Sequence, residues 1–185
     1  MIPWFTSDHH FSHENIIKYS SRPFASAKEM DEALVENWNA VVKPEDHIYH
    51  LGDVTMIRGG RIQQEWFCNL IHSLNGHKRV FLGNHDHFPI EVYLRAGFEK
   101  VYATWRSYDK LIFSHIPIHP ESMSSASGNV HGHIHTNPSP KPVLQLDKDK
   151  KVLVKPYVNV CVEVTGYRPI NLDELRVRVE KAKEA

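Results

Sequence analysis

Short segments of strand length recur along the first 135 residues, and each gives out into glycine, aspartate, asparagine or histidine. Ile2 to Thr6 opens into Ser7-Asp8-His9-His10. His47 to Leu51 empties into Gly52-Asp53, Arg79 to Leu82 into Gly83-Asn84-His85-Asp86, and Lys110 to Phe113 into Ser114-His115. Asn129 to His135 repeats the pattern with Gly132-His133-Ile134-His135. Between these runs the apolar period changes to that of a helix. Ser26 and Glu29 form a capping-box signature ahead of Met30, Ala33, Leu34, Trp38 and Val41. Ile62, Trp66, Phe67, Leu70, Ile71 and Leu74 share one helical face, which Asn75-Gly76 ends as a left-handed cap. Residues 88–96 read as a short helix stopped by Gly97. Alternation of strands and helices predicts an α/β fold, in which sites gather at the carboxyl ends of strands.

The remainder completes one domain spanning residues 1–185, without repeat or linker. Phe98 to Thr104 reads as a strand, and Asn137 to Pro142 as a proline-rich surface loop. Val143 to Leu146 and Val152 to Lys155 read as a hairpin around Asp147–Lys151, and Val158 to Val164 as a further strand. Asn171 and Glu174 cap a last helix with Leu172, Leu175, Val179 and Ala182 on its buried face. A chain of 185 residues buries roughly two-thirds of the surface its unfolded form exposes and needs no staples.

Composition narrows the function. Lys plus Arg (22) equals Asp plus Glu (22), so there is no global basic field for long nucleic acid, and a small phosphorylated or nucleotide-type ligand is favoured. Cys68 and Cys161 lie far apart with no C-x-x-C spacing, which excludes a cysteine framework and suits a reducing cytoplasm. No run approaches the about 18 apolar residues of a membrane helix, and the amino terminus lacks a basic region ahead of an apolar one. The histidines are the anomaly. There are 14, none lies beyond residue 135, and they sit at the ends of apolar runs, as in a site assembled from several strands.

The residue types suggest metal chemistry. In an extended segment Asp8 and His10, two apart, point to one side and can hold one cation together; His133 and His135 repeat that logic, with Gly132 allowing close approach. Asn84 offers a neutral oxygen. His85 can move a proton near neutral pH, Asp86 can fix which ring nitrogen carries it, and Gly83 lets the backbone turn sharply. Pro117 keeps Ile116 extended, so that His115 leaves its strand in a defined direction.

Collected in order, Asp8-x-His10, Gly52-Asp53, Gly83-Asn84-His85-Asp86, His115 and Gly132-His133-x-His135 resemble the five motif blocks of the calcineurin-like metallophosphoesterases. Asp8-x-His10-Phe11-x-His13-x-Asn15-Ile16 and the closing segment around Asn159 and Pro169 are similar to the small, capless members of bacteria and phages. The resemblance implies a four-layer α-β-β-α sandwich, two mixed sheets packed face to face with helices outside. It implies that Asp8, His10 and His135 hold one metal, that Asn84, His115 and His133 hold a second, and that Asp53 bridges them through its two oxygens. Two divalent cations about 3.5–4 Å apart polarise a phosphate and supply hydroxide at neutral pH to attack phosphorus. Nitrogen-rich donors with a few oxygens favour manganese, iron or zinc over magnesium or calcium, with manganese the first choice and nickel a further alternative. His85 would face the leaving oxygen, oriented by Asp86. The implied activity is hydrolysis of a phosphodiester on a small or nucleotide-type substrate. The rival readings are a phosphomonoesterase and a metal-binding interaction module without catalysis.

Gly52-Asp53 is followed by Val54-Thr55-Met56-Ile57-Arg58, which departs from the protein serine/threonine phosphatase pattern, so Arg58 stands as a candidate phosphate contact or a solvated loop residue. His13 is the candidate for substrate contact. His9, His87, His119 and His131 flank the motifs as candidate supports, and His47, His50, His72 and His77 read as structural or surface residues.

Overall fold

The computed structural model describes residues 2–104, 106–146 and 149–184. Its elements run β1 (Pro3–Thr6), α1 (Glu14–Tyr19), α2 (Ala27–Val41), β2 (His47–His50), α3 (Arg61–Ser73), β3 (His77–Phe81), α4 (Ile90–Arg95) and β4 (Phe98–Tyr102). There follow β5 (Arg106–Tyr108), β6 (Leu111–Phe113), β7 (Asn129–His131), β8 (Val143–Leu146), β9 (Val152–Lys155), β10 (Tyr157–Asn159), α5 (Val162–Thr165), β11 (Ile170–Asn171) and α6 (Leu172–Ala182). They form an α/β fold with two mixed sheets. The larger has the order β11-β1-β2-β3-β4, parallel throughout except for β11 at its edge. The smaller has the order β10-β7-β6-β5, with only the β5–β6 pair antiparallel. The hairpin β8–β9 stands apart, and its Asp147 and Lys148 lie outside the described residues.

Strand alternation decides which side chain goes to which layer. Trp4, Ile48 and Val80 point from the larger sheet to α2, α3 and α4, where they meet Met30, Leu34, Trp38, Phe67 and Ile71. Their neighbours Phe5, Tyr49 and Phe81 point the other way, into a core shared with Leu111, Phe113, Val130 and Val158 of the smaller sheet. Phe5 joins the sheets, its ring stacked 5.6 Å from Tyr49 and 4.9 Å from Phe113. α6 adds Leu175 and Val179 to this core. On the far side of the smaller sheet, Asn129 Oδ1 accepts from the Ile118 N–H and Tyr157 donates to the Ile118 carbonyl, so the 116–126 segment covers that face with only a 3-10 turn at Pro120–Met123.

Several local expectations need correction. Ile62 is 78% exposed on the first turn of α3, off the buried face that Phe67 and Ile71 share. That helix ends at Leu74 in extended backbone, and the left-handed turn comes later, at Gly76. The strand expected over 158–164 stops at Asn159, whose side chain accepts the Cys161 N–H and starts the turn into α5. β5 has no apolar run to announce it. The α6 capping box is complete: Glu174 N–H donates to Asn171 Oδ1 and Asn171 N–H to the Glu174 carboxylate. At α2, Ser26 accepts from the Glu29 N–H as expected, but the Glu29 carboxylate takes the Ala25 N–H instead. Among the described residues no helix is long and apolar enough to cross a membrane.

Asp46 ties β1 to the turn before β2. It accepts from Ile2 N–H, the Trp4 indole and Lys43 N–H at 2.9, 3.1 and 3.2 Å. Burial pushes its carboxyl up, but these donors outweigh burial and hold it below the usual carboxylate range. Asp46→Ala is expected to lower unfolding free energy by about 1–3 kcal/mol in urea titrations at pH 7. A folded pKa below the unfolded one makes the carboxylate's contribution full above about pH 4 and lost as pH falls through the lowered folded value, so the gap between wild type and variant should narrow in acid.

Candidate metal centre

β1, β2 and β3 are parallel in one sheet, β6 and β7 in the other, and the carboxyl ends of all five converge. Two groups result. Asp8, His10 and His135 each present a ligand atom within 4.8 Å of the others, and Asp53, His115 and His133 do the same. Asn84 joins the second group, its Oδ1 3.0 Å from His115 Nε2. All seven residues singled out as ligands in the sequence are thus brought to one place. The link between the groups is a single atom. Asp53 Oδ2 lies 3.5 Å from His10 Nε2 and 3.4 Å from His115 Nε2, while Oδ1 accepts the His85 N–H at 2.9 Å. The expectation that each Asp53 oxygen serves its own group is therefore corrected: one oxygen faces both.

The convergence does not come from extended backbone. Asp8, His10, Asp53, His133 and His135 all have positive φ, from 51° at His135 to 71° at His133. Left-handed residues at every second position, rather than the pleat of a strand, bring Asp8 and His10 into one group, whereas His133 and His135, which the same spacing suggested as a pair, go to different groups. Such conformations cost of order 1–3 kcal/mol each in non-glycine residues and persist only where the surroundings enforce them. The surroundings are backbone hydrogen bonds between loops. Asp8, His10 and Phe11 N–H groups donate to Gly52, Asp53 and Val54 carbonyls at 3.0, 3.1 and 2.9 Å.

Asp86 is part of this clamp. Its Oδ2 accepts from Asp53 N–H and Gly83 N–H at 2.7 and 2.8 Å, and its Oδ1 from Val54 N–H at 3.0 Å. His85 Nδ1, meanwhile, is buried without a partner. Asp86 therefore does not orient the His85 ring; backbone donors occupy both of its oxygens, and it pins the loop after β2 to the loop after β3. Burial pushes its carboxyl up to about 6 against the pull of those donors. Gly83 likewise serves close approach more than turning, since a Cβ there would overlap Asp53.

Two residues that no local sequence pattern flagged complete the support. Arg22 is buried and donates to the Asp8 and His9 carbonyls, both at 2.7 Å, and to Glu163 Oε1 at 2.6 Å. Glu163 Oε1 also accepts from His135 Nδ1 at 2.8 Å, which leaves Nε2 to face Asp8 Oδ1 at 3.8 Å. Glu163 lies in the closing segment, beside the Asn159 whose amide donates to the His135 carbonyl. His50, read as structural, accepts the Gly52 N–H at Nδ1, so its Nε2–H meets His9 Nδ1 at 2.9 Å. Burial, with the nearby charge of His115, holds His50 down at about 3, so the buried pair is neutral. His13 faces the cavity beside His10. Arg58 meets His87 at 2.6 Å on the exposed rim, and His131 Nδ1 donates to the Gly132 carbonyl.

The electrostatics call for positive charge between the groups. Burial acts to raise the Asp8 and Asp53 carboxyls, yet the neighbouring histidines overcome it and both are held below their ordinary range. Burial acts to lower His115, but Asp53 and Asp8 raise it to about 9. Its Nδ1 donates to the Leu51 carbonyl at 2.7 Å, so its Nε2 faces two oxygens, Asn84 Oδ1 and Asp53 Oδ2. Only a proton or a metal cation satisfies that arrangement. Asp8 Oδ1 and His10 Nε2 are buried without hydrogen-bond partners, the pattern of ligand atoms awaiting a cation. Asp8 Oδ2 is taken by His133 N–H at 2.9 Å and the Cys161 thiol at 3.2 Å. Gly132 makes this packing possible, because a Cβ there would overlap the Ser7 and Asp8 side chains. Gly132→Ala should therefore destabilise the fold by about 1–3 kcal/mol in denaturant titrations, more than Gly60→Ala, whose added Cβ meets no neighbouring atom.

No family model matches the chain. The uncharacterized protein MJ1445 of Methanocaldococcus jannaschii is 33% identical over 180 residues, covering 97% of this chain and 92% of that protein. The Gene 66 protein of Mycobacterium phage L5 is 34% identical over 83 residues, 45% of this chain and 39% of its own length. Among solved structures, the protein of unknown function AQ665 from Aquifex aeolicus superposes with a TM-score of 0.69 at 26% identity, covering 95% of this chain and 98% of that one. Identity of one third sustained along nearly the whole of both sequences means that the chain belongs to the same family as the Methanocaldococcus jannaschii protein MJ1445.

Proposed function

We propose that this chain is a dinuclear metal-dependent hydrolase of phosphate esters, a single calcineurin-like metallophosphoesterase domain acting on phosphodiesters. The observation that carries the reading is the shared oxygen, Asp53 Oδ2, between two clusters of histidine, aspartate and asparagine donors. Asp8, His10, His135 and Asp53 would hold one cation, and Asp53, Asn84, His115 and His133 the other. The pair, when bound, supplies charge neutralisation at a phosphate and a nucleophile at neutral pH. Nitrogen-rich donors with a few oxygens favour a transition metal over magnesium or calcium, with manganese first and iron, zinc and nickel as alternatives. The two free, buried cysteines accord with a reducing cytoplasmic setting.

The chain's own residues divide the remaining work. Glu163 fixes His135 with Nε2 towards Asp8, and the Leu51 carbonyl fixes His115 with Nε2 towards Asp53. His85 stands over His10 with ring centroids 5.5 Å apart and lines the open cavity, within reach of a leaving oxygen. Burial and the charges of His10, His87 and His115 pull it below its ordinary pKa, against Asp53. It is placed to donate a hydrogen bond or a proton to charge as it develops on the leaving oxygen.

Hydrolysis of bis-p-nitrophenyl phosphate and p-nitrophenyl phosphate tests the reading, with chelator-stripped protein to which manganese is restored. The diester is expected to turn over only with metal and faster than the monoester. Monoester preference would make the chain a phosphomonoesterase, and two bound metals with no turnover of either would favour an interaction module. His85→Ala should bind two metals and lose about 10²–10⁴-fold in turnover. Glu163→Gln should weaken one of the two metal equilibria by about 10–100-fold in calorimetric titration and leave the other near its wild-type value. Equal weakening of both would contradict the division into two clusters.

A further inference from the structure

A cavity opens beside each cluster. The first, of 550 Å³, reaches His10, His85 and His135 and has His13, Tyr19 and Asn137 in its wall. The second, of 340 Å³, reaches Asn84 and His115 and is walled by Leu82, Ala103, Ile116 and Ile118. Among the described residues no lysine, arginine, aspartate or glutamate lines either one. Arg22, behind the first cluster, is buried against Glu163, and Arg58 meets His87 at the surface. A second phosphate next to the reacting one would need a cation or a cluster of donors to replace its water. A nucleic-acid strand, with a phosphate on each side of every diester, needs a basic groove along its path.

The larger cavity also has a specific chemistry. Tyr19, the last residue of α1, is 76% exposed, an aromatic ring held in solvent at the mouth of the site. The His13 ring stands edge-on to it at 6.4 Å, and His10 lies 5.7 Å beyond, so three rings lead from the mouth to the first cluster. The amides of Asn15 and Asn137 and the Thr136 hydroxyl offer donors and acceptors on the same wall. A flat face with mixed neutral hydrogen-bonding groups suits a nucleobase. The second cavity, aliphatic on most of its wall, suits a compact apolar group.

We infer that the substrate is a lone phosphodiester between two uncharged groups, with a nucleoside arm seated on Tyr19 in the larger cavity and a small apolar arm between Ile116 and Ile118 in the other. The inference rests on the phosphodiesterase reading and narrows it. Hydrolysis adds the water oxygen to phosphorus and breaks the bond to the arm beside His85, so the products are the free nucleoside and a monoester of the small alcohol, with the second water proton passing to the nucleoside oxygen.

The test compares three diesters: thymidine 5′-(methyl phosphate), its abasic analogue carrying deoxyribose alone, and the same nucleoside diester bearing a 3′-phosphate. Release of thymidine, deoxyribose or thymidine 3′-phosphate is followed by chromatography with manganese present. The plain nucleoside diester is expected to exceed both others in kcat/KM by about tenfold or more, the range that one base stacked on an aromatic side chain supplies. Tyr19→Ala should lower kcat/KM for the plain nucleoside diester by far more than for the abasic one, bringing the two rates together, and Tyr19→Phe should retain the difference. Binding of the same compounds to the His85→Ala protein, read by calorimetry, should follow the same order. Equal kcat/KM for the plain and 3′-phosphorylated diesters, or a Tyr19→Ala effect equal on all three, would overturn the inference while leaving phosphodiester hydrolysis intact. The expected order of binding with no turnover of any diester would support the cavities and instead contradict the catalytic reading.

Discussion

Two buried carboxylates without basic partners at their free oxygens, Asp8 and Asp53, are the constraint around which the rest is built. An ionised carboxylate away from water is costly unless positive charge or directed hydrogen bonds compensate it. Each has one oxygen so compensated: Asp8 Oδ2 by His133 N–H and the Cys161 thiol, Asp53 Oδ1 by His85 N–H. Their other oxygens are left to face imidazole nitrogens at 3.4 to 3.8 Å, too far for good hydrogen bonds and well placed for a cation between. Histidine alone can satisfy this only by protonation, and Asp53 and Asp8 accordingly raise His115 to about 9 against its burial. The same electrostatic demand is met more completely by divalent cations.

Meeting it requires a strained framework. Five of the seven candidate ligands adopt left-handed backbone conformations that extended strands do not supply, so the loops must be held from outside. Asp86 does this between the loops after β2 and β3, and Arg22 and Glu163 do it between the loops after β1 and β7. Both devices use a charged group on backbone atoms at long sequence separation. The sheets set the scale of the whole arrangement, since the Phe5, Tyr49 and Phe113 stack fixes how closely the two rows of strand ends approach. A rigid floor with open, uncharged cavities above it suits chemistry in which the metal pair provides the charge and the walls provide the selection.

The parts of this design that are local were legible in the sequence. Strand-length runs giving out into polar residues located β1, β2, β3 and β6, helical periodicity located α2, α3 and α6, and the seven residues that the family resemblance put forward as ligands lie together at the strand ends. What escaped depends on distance along the chain. Arg22 sits in a polar turn and Glu163 in an apolar closing segment, 141 residues apart, and nothing near either one signals the ion pair. Asp86 was assigned to its sequence neighbour His85, whereas its oxygens serve backbone N–H groups as far away as Asp53. The i, i+2 spacing paired Asp8 with His10 for a reason that does not hold, since left-handed loop residues rather than a strand's pleat bring them together, and it failed for His133 and His135, which serve different groups.

Anomalous diffraction from crystals grown with manganese is the most direct measurement of the central claim. Two peaks are expected per chain, one among Asp8, His10 and His135 and the other among Asn84, His115 and His133, with Asp53 Oδ2 between them. A single peak, or metal bound away from Asp53, would contradict the dinuclear centre.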